Sequence, residues 1–156
     1  MLKEDSLKTN LKSIVFIANS SWYIFNFRKE LLFNLKNKGY KIYIICPRDK
    51  YSLNLIDFGF KLINWDLNRS SLNVFSEIKS IFELIFKLRS LNVSLIHNFT
   101  MKGIIYGTIA SIFVDKHSVI NSITGLGHLF ISENILIKFI RLFLFKFIKY
   151  IFRITK

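Results

Sequence analysis

Proline and cysteine occur once each in 156 residues, glycine occurs six times, and acidic side chains number only 10. The lone Cys46 excludes an internal disulfide framework, and a reducing, cytosolic setting fits it. So few Pro and Gly leave no room for a linker or a low-complexity tract, and no internal repeat is visible. No uncharged apolar stretch reaches the ~18–20 residues needed to span a bilayer. Leu2–Lys12 carries charges and lacks the apolar run of a secretory signal. His97, His117 and His128 lack close ligand spacing and Cys46 has no partner, so no metal site is expected.

What is present is apolar and basic. Hydrophobic residues make up 51% of the chain and Phe alone occurs 17 times. That is enough to build the core of one domain. The net charge is +13. Such a balance favours an anionic partner, whether nucleic acid, phosphorylated substrate or an anionic membrane leaflet. The plainer alternative is that lysine solubilises a very apolar chain.

Apolar runs and helical patterns alternate along the chain. Ser13–Ala18, Lys41–Cys46, Phe60–Trp65, Val93–His97 and His117–Ile123 read as buried strands. Between them lie four helical patterns. One runs from about Ile24 to Lys38, with Phe27, Leu31, Leu32 and Leu35 on one face and Gly39 as stop signal. A short one covers Ser52–Phe58. A long one, capped by Asn73, reaches about Leu91 with Val74, Ile78, Ile81, Phe82, Ile85 and Leu88 on one face. A small-residue helix lies near Gly103–Phe113. This alternation predicts an α/β fold with a Rossmann-like, doubly wound parallel sheet.

Ligands of such sheets bind outside the carboxyl ends of the strands. The residues following the strands are therefore the candidates. After the first strand come Asn19, Ser20, Ser21, Trp22 and Tyr23, with Arg28 about a turn into the next helix. Free N–H groups there would take a phosphate or carboxylate, or Ser and Asn merely cap the helix. No glycine fingerprint is present, which disfavours dinucleotide binding of the usual kind. Arg69 follows the third strand. His97 stands where the fourth should end, beside Thr100 and Lys102, and is a candidate acid/base or a structural histidine. Thr124, Gly125 and Gly127 follow the fifth, where two glycines permit close backbone approach or simply make a tight turn.

The segment from about 134 to 153 sets Lys138, Arg141, Lys146, Lys149 and Arg153 within an arc of roughly 140° against Phe, Leu and Ile. That pattern suits an interfacial amphipathic helix, or one packed on protein.

The stretches VFIANSSWYIFNFRKELLFNLKNKGYKIYIICP, LIHNFTMKGIIYGTIAS and VINSITGLGHLF resemble, in this order and spacing, the amino-terminal domain of family 4 glycosyltransferases. The subset is the bacterial one that extends polysaccharides or lipid-linked oligosaccharides. The resemblance covers about Lys12 to Lys156 and treats residues 1–11 as an extension. It implies one half of a GT-B architecture, in which this half receives the acceptor. A facing domain holds the nucleotide sugar, commonly a UDP-sugar, and a glutamate pair that this chain lacks. Glu77 and Glu83 lie in the long helix and are expected to face solvent. No cofactor is implied for this half.

The chain departs from the family pattern twice. Asn19–Ser20–Ser21 replaces a glycine pair, and the Asn121–Thr124 region replaces a histidine. His97 and the Gly125–Gly127 turn match, which implies that they face the interdomain cleft, with His97 as a candidate base. Arg28, Lys102 and the Gly125–Gly127 amides would then stabilise charge on the leaving diphosphate.

The expected place of work is the inner face of the plasma membrane, on an anionic surface, with a lipid-linked or polysaccharide acceptor. Three rivals remain open: a non-catalytic membrane-recruiting subunit of a split enzyme or an inactive fragment, a sugar-nucleotide epimerase, and a nucleic-acid binder. No recognition motif supports the last.

Overall fold

The computed structural model describes residues 12–68, 73–115 and 118–123. Five strands and five helices follow one another as β1 (Ser13–Ile17), α1 (Ser21–Phe27), α2 (Lys29–Asn37), β2 (Lys41–Cys46), α3 (Ser52–Asp57), β3 (Lys61–Asn64), α4 (Val74–Arg89), β4 (Leu95–Phe99), α5 (Met101–Ser111) and β5 (Ser118–Ser122). The strands form one sheet in the order β3-β2-β1-β4-β5, and every pairing is parallel.

Both faces of the sheet are covered, which is why its central strands are apolar at successive positions. Side chains alternate along a strand. Ile14 and Phe16 of β1 therefore join Ile42, Ile44, Phe99, Ile24, Leu32 and Leu55 under α1–α3. Val15 and Ile17 join Ile45, Ile96, Leu84, Leu88 and Ala110 under α4 and α5. Gly39 and Gly59, at φ +84° and +78°, take the left-handed conformation that ends α2 and α3.

The structure corrects three expectations. The single helix over Ile24–Lys38 is two helices, broken at Arg28 with φ −127° and ψ −5°. The break shifts the helical phase, so Leu32 is buried while Phe27 and Leu31 are exposed. In α4 the buried stripe is Ser80, Leu84, Ile85 and Leu88, and Val74, Ile78 and Phe82 face out. The fourth strand starts two residues late and includes Asn98 and Phe99, so His97 stands in mid-strand rather than at its end.

Candidate functional site

Strand order reverses between β1 and β4, because β1 is flanked by β2 on one side and β4 on the other. A crevice at the carboxyl ends of these two strands is where such a sheet takes its ligand. A side-chain bond crosses that point: Asn19 N–H donates to Thr100 Oγ1 at 3.2 Å. Thr100 holds φ +62° and ψ 155°, a region essentially reserved for glycine and strained for a β-branched residue. Gly103, in the first turn of α5, lets that helix press on β1. A Cβ there would meet Ile17 O at 3.2 Å and Ala18 Cα at 3.4 Å.

The start of α1 is closed by the chain itself. Ser20 Oγ accepts from Tyr23 N at 3.2 Å. Asp49 Oδ2 accepts from Trp22 N at 2.8 Å, and Asp49 Oδ1 from Tyr51 N at 2.9 Å. The carboxylate expected at this helix start is thus the protein's own, and capping describes Ser20. Asp49 is the only acid between Glu30 and Asp57 and falls just past the second strand, a signal that sequence reading missed. Ser21 Oγ is shared among Cys46 Sγ, Pro47 O and Ser52 Oγ. Burial pushes the Cys46 thiol up to about 12, which makes it inert.

Tyr23 and Trp22 part company. Tyr23 is buried against Phe99, with ring centroids 5.9 Å apart, whereas Trp22 is 44% exposed and meets Phe27 edge-on. Arg28, at the helix break, donates from Nη2 to Tyr23 Oη at 2.8 Å. Its guanidinium lies 4.7 Å from the centroid of Phe99, a cation–π geometry. Arg28 Nε is buried without a hydrogen-bond partner. Among the described residues, the ion pairs are Lys29–Glu30, Lys87–Glu83 and Lys102–Glu77, so no carboxylate neutralises Arg28.

His97 completes this cluster. Its ring lies 4.1 Å from Phe99 and 5.4 Å from Phe16, centroid to centroid. Its Nε2 shares a 2.8 Å hydrogen bond with Ser122 Oγ. Burial, and then the positive charge of Arg28, lower its pKa to about 4. The imidazole is therefore neutral at pH 7.

Lys102 turns away from this cluster. It donates to Asn68 O and pairs with Glu77 Oε1, both at 2.8 Å, and Glu77 Oε2 accepts from Tyr106 Oη. Burial, then the Glu77 bond, hold the Tyr106 phenol above its usual range. Glu83 accepts from Asp66 N and pairs with Lys87 at 2.7 Å. The expectation that Glu77 and Glu83 face solvent is thus corrected: both tie α4 to its neighbours, over separations that helical periodicity does not reveal.

The structure therefore brings Asn19 to Thr100, and Tyr23, Arg28 and His97 together around Phe99. Phe99 and Ser122 were missed as partners. Arg69, Thr124, Gly125, Gly127, Lys138, Arg141, Lys146, Lys149 and Arg153 lie outside the described residues. No metal-ligating cluster of His, Cys, Asp and Glu occurs among the described residues.

The sequence pattern of the glycosyl transferase 4-like family matches residues 13–155. Over 120 residues the chain is 29% identical to the N,N'-diacetylbacillosaminyl-diphospho-undecaprenol alpha-1,3-N-acetylgalactosaminyltransferase of Campylobacter jejuni, covering 77% of this chain and 32% of that protein. The chain thus spans about a third of that relative's length. Among solved structures, a glycosyltransferase from Rickettsia africae superposes with a TM-score of 0.57 at 16% identity, covering 72% of this chain and 29% of that one. MurG from Acinetobacter baumannii does so with a TM-score of 0.54 at 13% identity, covering 72% and 35%. These two likenesses concern the fold alone.

Proposed function

This chain belongs to the glycosyl transferase 4-like family, and from that membership we propose that it is the acceptor-side half of a glycosyltransferase. The complete enzyme moves a sugar from a nucleotide sugar, a UDP-sugar in our reading, to a lipid-linked acceptor at the inner face of the plasma membrane. The relative in Campylobacter jejuni is named for an acceptor that carries a diphospho-undecaprenol. An acceptor of that class presents an anionic diphosphate next to a sugar.

The observation that carries this reading is Arg28. It is a half-buried guanidinium on an aromatic shelf, with no carboxylate partner among the described residues. A cation held in place but left uncompensated is suited to an anionic ligand. The exposed indole of Trp22, at the start of α1, offers a flat apolar face to a sugar ring. His97, neutral and bonded to Ser122, serves as a hydrogen-bonding group; as a base it would be weak, since its pKa falls to about 4.

Calorimetric titration of the chain with a water-soluble, short-chain polyprenyl diphosphate sugar tests this. Arg28→Gln is expected to weaken binding by roughly tenfold or more, the worth of one charge-assisted hydrogen bond. Equal affinity for the sugar without its diphosphate would remove Arg28 from the reading.

A second reading is a membrane-recruiting subunit that performs no chemistry itself and leaves donor binding to another polypeptide. Sugar transfer by the chain when mixed with a separately produced donor-binding domain would decide between them.

A further inference from the structure

Helix α4 is apolar on two sides. Ser80, Leu84, Ile85 and Leu88 face the sheet. On the other side Phe75, Ile78, Phe82 and Phe86 are 85%, 46%, 57% and 66% exposed. At ~100° per residue these four fall within an arc of roughly 80°. They form a continuous stripe along 12 of the 16 residues of the helix, a length of about 18 Å. The stripe continues beyond the helix. Arg89 Nε donates to Phe113 O at 3.0 Å, and this joins the end of α4 to the exposed Ile112 and Phe113 after α5.

An aromatic stripe of this length is more than a monomer's scattered surface residues require. Charge selects what covers it. Arg89 lies within the stripe and Lys79 on its rim, both exposed. The acids of α4 are engaged elsewhere, Glu77 with Lys102 and Glu83 with Lys87. The whole chain carries +13, so a second copy would be repelled. The basic segment around Lys138–Arg153 would meet the same repulsion. The fitting occupant is apolar and anionic at once, as a bilayer surface with acidic headgroups is.

We propose that the outer face of α4, with Phe75, Ile78, Phe82 and Phe86 as insertion residues and Lys79 and Arg89 as headgroup contacts, docks this protein on an anionic lipid bilayer. The proposal rests on the acceptor reading only for its expectation of a membrane nearby. Parallel connectivity sets the first turn of α4 at the carboxyl edge of the sheet, the edge that carries Asn19 and Thr100. A bilayer along α4 would bring lipid-borne diphosphate to the level of the crevice.

The test is co-sedimentation of the full chain with phosphatidylcholine vesicles, with and without phosphatidylglycerol. The wild-type chain is expected to bind the anionic vesicles. The Phe75→Ser, Phe82→Ser, Phe86→Ser variant should lose on the order of tenfold or more in affinity, with unchanged far-ultraviolet dichroism. The Lys146→Gln, Lys149→Gln, Arg153→Gln variant should retain most of it. Wild-type affinity in the phenylalanine variant would overturn the proposal. So would loss of binding in the terminal-cation variant alone, or oligomers that dissociate in the phenylalanine variant while lipid binding persists.

A second measurement does not depend on that variant. Phe82→Cys takes a polarity-sensitive dye selectively, because Cys46 is buried. A blue shift on anionic vesicles is expected, and an unmoved spectrum overturns the proposal. Acceptor binding by Arg28→Gln is measured without vesicles, so failure of the acceptor reading leaves these outcomes intact.

Discussion

Of the helices that begin at the carboxyl edge of the sheet, α1 and α5 are held there by opposite means. α1 is fastened by polar side chains: Ser20 and Asp49 answer its first amides, and Ser21 bonds to Ser52 and Pro47. α5 is fastened by closeness. Gly103 and Gly107 let it sit directly on β1 and β4, and its start has no side-chain cap. The polar helix start is already closed by the protein's own carboxylate, whereas Thr100, at the start of the packed one, makes no side-chain cap. Polar residues in a sequence therefore do not by themselves mark a ligand site. Here Asn19, Ser20 and Ser21 drew attention, and two of the three serve the fold.

The largest effect is expected at Gly107. A Cβ there would sit 2.1 Å from Asn98 Oδ1, and Asn98 is fully buried with its amide donating to Asn121 at 2.8 Å. Gly107→Ala should cost about 2 kcal/mol or more through overpacking, despite ~1 kcal/mol of improved helix propensity. Thermal unfolding measures it. A raised melting temperature would mean that α5 is not seated by contact.

Next in size is the pH response of the Arg28 cluster. His97 has a folded pKa near 4 and an unfolded value near 6.5. The unfolded chain therefore binds the proton first, and stability is full above pH ~6.5 and falls as pH drops towards ~4. Allowing for solvent screening, the loss is roughly 1–2 kcal/mol. His97→Gln removes the titration and should flatten urea midpoints across that window. An unchanged slope would assign the acid sensitivity to other groups.

A smaller effect belongs to the polar end. Asp49→Ala leaves the amides of Trp22 and Tyr51 without their carboxylate. Because both bonds are near the surface, water replaces them in part, and a cost of about 1 kcal/mol is expected by denaturant titration. A loss as large as that of Gly107→Ala would contradict the view that this end is fastened by several redundant bonds.

How much of this was legible follows the same division. Strands are recorded in local pattern, and the edges of Lys41–Cys46 were read correctly. The break at Arg28 was not, since neither Pro nor Gly marks it. The end of β4 was missed because Asn98 looks like a loop residue; in the fold its side chain is buried against Gly107 and donates to Asn121. In α4, apolar periodicity pointed to one face, whereas the helix carries two, and only the position of the sheet decides which is inside. The family itself was readable because three stretches stood in order. Partners such as Glu77 with Lys102, 25 residues apart, required the fold.

Thr100 gives the smallest change in stability and the most informative one. Its φ of +62° with ψ 155° costs a non-glycine residue about 1–3 kcal/mol. Glycine would relieve that strain. It would also surrender the bond from Asn19 N to Oγ1, worth about 1 kcal/mol, and gain freedom in the unfolded chain worth a similar amount. Thr100→Gly should therefore move stability by less than about 1 kcal/mol, since the terms oppose. Its effect on the crevice has no such offset, because the hydroxyl supplies the side-chain bond that links the end of β1 to the start of α5. Acceptor affinity should fall while the melting temperature holds. If both hold, the strain at Thr100 is incidental to ligand binding, and the Arg28 cluster alone organises the site.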